Sequence, residues 1–147
     1  MTSLTKQHKF RQPPAKVFDA FANPKAIAQW IAPAVEIITE VTEFAFHPEG
    51  RYRYVFTLPD QSQIAVSGQF LKITQPTHLT FTWMWEEPDI HANIETHVAV
   101  TLKPDGTGTA LTLTHTNLTG ADMSPRHASG WDGSLLRLQT LLDISKE

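Results

Sequence analysis

Seven histidines, fifteen acidic residues and no cysteine bound the chemistry open to this chain of 147 residues. Without cysteine there is no thiol nucleophile, no disulfide and no thiolate zinc site. His115 stands out among the histidines because it closes an alternating run in which Thr109, Leu111, Leu113 and His115 share one face. An imidazole on such a face is either a hydrogen-bonded core residue or a group that orients a ligand or takes its proton. Burial favours its neutral form in both cases. His127 lies one helical turn before Trp131, so it faces either a cavity mouth or the surface.

The other titratable groups do not converge. His97 alternates away from His115, and His91 lies in a loop before it, so a histidine metal site lacks ligands and no metal is expected. Glu36, Glu40 and Glu43 lie on or near one strand, while Glu86, Glu87 and Asp89 lie in a loop. Nothing sets two carboxylates inward, as glycoside hydrolysis requires. No serine sits in a G-x-S-x-G elbow, and Gly106-Thr107-Gly108 is a turn rather than a phosphate loop.

Composition excludes further classes. A net charge of −3 gives no basic footprint for nucleic acid. No run approaches the ~20 apolar residues of a membrane span. Met1 to Lys9 holds no apolar stretch of the signal-peptide kind. No cofactor, nucleic acid or membrane is expected, and the expected location is cytoplasmic.

The elements that position these residues are legible from punctuation and period. Leu4 to Arg11 reads as an opening strand, stopped by Pro13-Pro14. Pro14 to Ala22 carries Val17, Phe18 and Phe21 at helical spacing, and Asn23-Pro24 caps a second short helix with Ile27, Trp30 and Ile31 on one side. Turn signals then separate the strand candidates 35–46, 51–58, 64–74, 78–85, 93–103 and 109–116. Short connections make these an antiparallel meander.

In the last hairpin Val98, Val100 and Leu102 must share a side with Leu111, Leu113 and His115. A two-residue turn at Asp105-Gly106 and a four-residue loop over 105–108 both satisfy this parity. In the two-residue register Thr96 lies across from His115. The last segment is a long helix, with Ser124-Pro125 as cap and first-turn proline and a stripe of Ala128, Trp131, Leu135, Leu138 and Leu142. Gly130 and Gly133 inside it each cost about 1 kcal/mol relative to alanine, which implies close backbone approach or a bend near Trp131.

The expected architecture is a single α+β domain over 1–147: a helix grip with a curved antiparallel sheet of about seven strands. Two short helices follow the first strand, and a long C-terminal helix crosses the concave face. On that frame the chain resembles the heat-shock-protein-90 ATPase activator-like family of the SRPBCC (START/Bet v 1-like) superfamily. The resemblance is carried by Pro13-Pro14-Ala15-Lys16-Val17-Phe18-Asp19-Ala20-Phe21, Asn23-Pro24, Gln29-Trp30, Gly50-Arg51-Tyr52, Val66-Ser67-Gly68-Gln69-Phe70, Leu79-Thr80-Phe81-Thr82-Trp83, the run from Gly108 to His115, and His127 with Gly130-Trp131. It departs at Glu49, where the family often has glycine before Gly50.

The resemblance implies a cavity between sheet and long helix that takes a small, mostly apolar ligand. Strand alternation aims Tyr52, Tyr54, Phe56, Val66, Phe70, Phe81, Trp83, Trp85, Thr96, Val98, Leu113 and His115 toward it, with His127, Trp131 and Leu135 covering it from the helix. The same side chains would also serve as a filled core. An enzyme using His115 in the cavity is one alternative. A protein-interaction module, as a homodimer or with a chaperone partner in the stress response, is another. Eukaryotic co-chaperone activators of this kind carry an additional N-terminal domain, for which 147 residues leave no room.

Overall fold

The computed structural model describes residues 3–120 and 122–144. Along the chain these form β1 (Ser3–Phe10), α1 (Pro14–Ala22), α2 (Pro24–Trp30), β2 (Ile38–Phe44), β3 (Arg51–Thr57), β4 (Gln63–Thr74), β5 (His78–Trp85), β6 (Thr96–Asp105), β7 (Gly108–Thr116) and α3 (Met123–Ile144). The strands make one antiparallel sheet in the order β1-β7-β6-β5-β4-β3-β2. It curves around α3, so the fold is the α+β helix grip. None of the described helices is long and apolar enough to cross a membrane.

Local chemistry explains the element ends. The Asn23 side chain accepts the Lys25 N–H at 3.0 Å and Pro24 opens α2, as the Asn-Pro signal requires. The buried Trp30 donates its indole N–H to the Ala20 carbonyl at 2.9 Å, locking α2 onto α1. Glu49 takes φ 71, the left-handed conformation glycine favours, and its N–H reaches the Phe70 carbonyl.

Three expectations shift, the simplest being the strand candidate 93–103, which runs as Thr96–Asp105. The strand candidate 35–46 begins only at Ile38, because Val35 is exposed in the segment leaving α2. Helix α3 begins at Met123, so Ser124 is inside the first turn and is not its cap. The chain turns into the helix at Asp122, which has φ 64, and the Arg126 N–H reaches the Asp122 carbonyl. Pro125 keeps its place in the first turn.

The β6–β7 hairpin settles the open register. His115 pairs with Val98, and pairing runs on to Asp105 opposite Gly108, leaving Gly106-Thr107 at the tip. This is the register of the four-residue alternative, extended by one more pair. Thr96 is therefore a diagonal neighbour of His115 rather than its opposite. Parity holds: His115 is buried and His97 exposed.

The two glycines of α3 differ. A Cβ on Gly133 would stand 2.0 Å from the Pro33 carbonyl oxygen, so the helix backbone lies directly against the segment leaving α2. A Cβ on Gly130 would meet nothing within 4 Å. Gly133→Ala is therefore expected to destabilise by about 1–3 kcal/mol through overpacking, whereas Gly130→Ala gains about 1 kcal/mol of helix propensity. Urea unfolding of both variants checks the opposite signs.

Candidate ligand cavity

A cavity of about 340 Å³ lies between α3, the sheet and the segment joining α2 to β2. Its wall is built from Ile31, Ala32, Pro33 and Ile37 on that segment, Phe56, Leu58 and Ile64 around the β3–β4 turn, and Trp83 and Trp85 on β5. Helix α3 supplies Arg126, His127, Ser129, Gly130, Trp131 and Ser134. At about 100° per residue these helix positions fan out around Gly130, with Arg126 and Ser134 close on either side. The position without a side chain is thus near the middle of the cavity-facing arc.

Of the candidate residues, Phe56, Trp83, Trp85, His127 and Trp131 line this cavity. Tyr52, Tyr54, Val66, Phe70, Phe81, Thr96, Val98, Leu113, His115 and Leu135 are buried but do not line it. The reason is packing at the other end of the concave face. Phe70 packs edge to face against Phe44 and Phe46 at centroid distances of 5.5 and 4.9 Å, and Tyr52 lies tilted against Phe70 at 5.4 Å and edge to face with Phe81 at 5.9 Å. The Tyr52 hydroxyl donates to the Thr82 carbonyl, and Gly68 leaves room for that ring, since a Cβ there would lie 2.6 Å from the hydroxyl. Burial raises both tyrosine pKa values well above their ordinary range.

The sequence places Ile31 on the second helix and residues 35–37 at the start of a strand, so it aims none of the segment 31–37 at the cavity. Gly130 and Ser134 could have been found: they sit at i+3 and i+7 from His127, on the same helical face.

His115 and His127 are held as neutral imidazoles of defined tautomer. The Trp131 indole N–H donates to His115 Nδ1 at 3.0 Å, and an indole can only donate, so the His115 proton is on Nε2. Nε2–H donates to the Thr96 hydroxyl at 2.7 Å, which passes its own proton to the Trp83 carbonyl at 2.6 Å. His127 is the mirror case: Nε2 accepts the Trp85 indole N–H at 2.9 Å, and Nδ1–H donates to the Met123 carbonyl at 2.8 Å. The two rings meet edge to face at 4.8 Å.

Burial, with His127 and His97 nearby, lowers the His115 pKa to about 3. Burial also lowers that of His127, with the Met123 hydrogen bond opposing and Arg126 and His91 adding to the shift. Each imidazole nitrogen in this pair has a partner. Neither ring offers a lone pair for taking a proton from a ligand.

Among the described residues Arg126 is the one charged side chain in the cavity wall. Its guanidinium sits 4.6 Å from the Trp85 ring centroid and forks onto Asp89 at 2.8 and 2.6 Å. Burial alone would raise the Asp89 pKa, but Arg126 and the His91 N–H hold it below the ordinary value. Among the described residues no group of three His, Cys, Asp or Glu side chains is placed to hold a metal ion.

Residues 11–143 match the family model described as activator of Hsp90 ATPase homolog 1-like protein. No curated protein matches the sequence. Among solved structures, a Chromobacterium violaceum protein superposes with a TM-score of 0.89 at 22% identity, covering 97% of this chain and 98% of that one. The AHSA1 protein of Silicibacter pomeroyi gives 0.86 at 27% identity, covering 97% and 99%. A Mycobacterium smegmatis protein gives 0.82 at 18% identity, covering 99% and 93%.

Proposed function

This chain belongs to the activator of Hsp90 ATPase homolog 1-like family, and from that premise we propose that it binds a small, mostly apolar molecule between α3 and the sheet. The observation that supports this reading is the glycine at the centre of the cavity wall. Gly130 weakens a helix interior by about 1 kcal/mol, and no neighbouring atom requires it. What it leaves is space, walled by three tryptophans, Phe56 and the aliphatic segment 31–37. The volume falls at the lower end of the ~300–1,000 Å³ usual for small-molecule sites. Acid–base catalysis by His115 has no support in this geometry, because both ring nitrogens are occupied by protein partners.

Indane, a rigid hydrocarbon, is expected to bind the protein and to lose at least about tenfold in affinity when Gly130→Leu puts a branched side chain into the space. Calorimetric titration of both proteins, each checked for folding by circular dichroism, reads this directly. Equal affinity in the two, or no binding by either, would count against the cavity as the site.

A further inference from the structure

Most polar atoms around the cavity already have partners inside the protein. The indoles of Trp85 and Trp131 go to imidazoles, both imidazoles are satisfied at both nitrogens, and Arg126 is held by Asp89. One buried donor in the wall is left over, and a buried serine stands in the same wall. Trp83 is 5% exposed and its Nε1–H is buried with no hydrogen-bond partner among the described residues. Ser134 is 3% exposed and brings a hydroxyl to the same wall.

A buried, unmet donor opposes folding, and natural proteins leave few of them. An indole N–H can be satisfied only by an acceptor. Resting on the binding reading above, we infer that the occupant is a neutral carbonyl compound, a ketone, ester or amide on an apolar body, whose oxygen accepts from Trp83 Nε1–H and the Ser134 hydroxyl.

Three features select this class. One carbonyl oxygen has two lone pairs and so serves both donors. An alcohol that accepts from both groups leaves its own proton unmet, and one that donates to the Ser134 oxygen displaces the Ser134 proton, since the imidazole acceptors are already filled by indoles. A carboxylate would enter an apolar wall whose single cation is already neutralised by Asp89, losing hydration without gaining a counter-charge.

The test uses three matched probes: 1-indanone, indane and indane-1-carboxylate. The readout is the indole N–H region of a ¹H–¹⁵N spectrum, with the Trp83 resonance assigned by its loss in Trp83→Phe. Saturating 1-indanone is expected to move the Trp83 N–H downfield, and indane is not. Ser134→Ala is expected to weaken 1-indanone by roughly threefold or more while leaving indane within about twofold. If indane moves Trp83 as 1-indanone does, and Ser134→Ala leaves the ratio of the two affinities unchanged, the acceptor is wrong and the cavity reading survives. If the carboxylate binds more tightly than 1-indanone, the neutral class is wrong. If none of the three binds, the binding reading falls and the inference with it.

Discussion

Trp131→Ala is expected to cost the fold about 4 kcal/mol or more, a large part of the total stability of a domain this size. Trp131 is 3% exposed and packs at 5.2 Å from the Trp83 ring, so truncation removes a buried indole from the wall between cavity and core. It also leaves the His115 Nδ1 lone pair buried without its donor. The second effect can be isolated. Trp131→Phe keeps most of the ring but not the N–H, and is expected to cost about 1–3 kcal/mol. Urea unfolding of the three proteins gives both numbers. A Trp131→Phe variant as stable as the parent would show that the indole donor does not hold the imidazole.

Stability is also expected to fall steeply in mild acid. An unfolded histidine binds a proton near pH ~6.5. Folded His115 does so only near about 3. Between those values the unfolded chain carries a proton that the folded chain does not, so lowering the pH favours unfolding. The slope for this one group reaches about 1.4 kcal/mol per pH unit, and the loss across the window is on the order of 5 kcal/mol.

His127, whose pKa is lowered in the same direction, steepens the loss from the same upper limit. The carboxylates Glu86 and Asp89, held low by Arg53 and Arg126, act later: their contribution is present above the ordinary carboxylate range and fades below it. A loss that begins above pH ~5 therefore belongs to the histidines. In His115→Asn the Oδ1 can take the place of Nδ1 as acceptor for Trp131. That variant is expected to be less stable at pH 7.5 but to depend less on pH between 6.5 and 4.5. Unfolding midpoints that move in parallel for both proteins would remove His115 from the account.

The fold was legible because its signals are local. Asn23-Pro24 caps a helix wherever it stands before an apolar-periodic run, and the alternation of β6 and β7 admits one choice of face. The hairpin register was not fixed by that alternation, because turns differing by two residues preserve parity. Even so, Thr96 meets His115 at 2.7 Å, since a threonine two residues along still reaches an imidazole on the same face.

The cavity was harder to read. Alternation says which side chains point inward but not where inward-pointing rings stop touching. Tyr52, Phe70 and Phe81 obey the same pattern as Trp83 and Trp85, yet Phe44 and Phe46 close over that end. The open end is bounded instead by Pro33 and Ile37, on a connection with no period, and by Gly130, whose contribution is a missing side chain. Ser134 and Arg126 follow from the helical face once His127 and Trp131 are placed on it.

The claim most in need of a direct measurement is that the space beside Gly130 receives an apolar molecule. Crystals soaked with 5-bromoindane and measured at the bromine absorption edge would locate the halogen without reference to any ligand model. The account expects an anomalous peak enclosed by Trp83, Trp131, Gly130 and Pro33, absent from Gly130→Leu crystals treated alike. Bromine found only on the outer surface, with Trp83 and Trp131 closed together across the space, would contradict it.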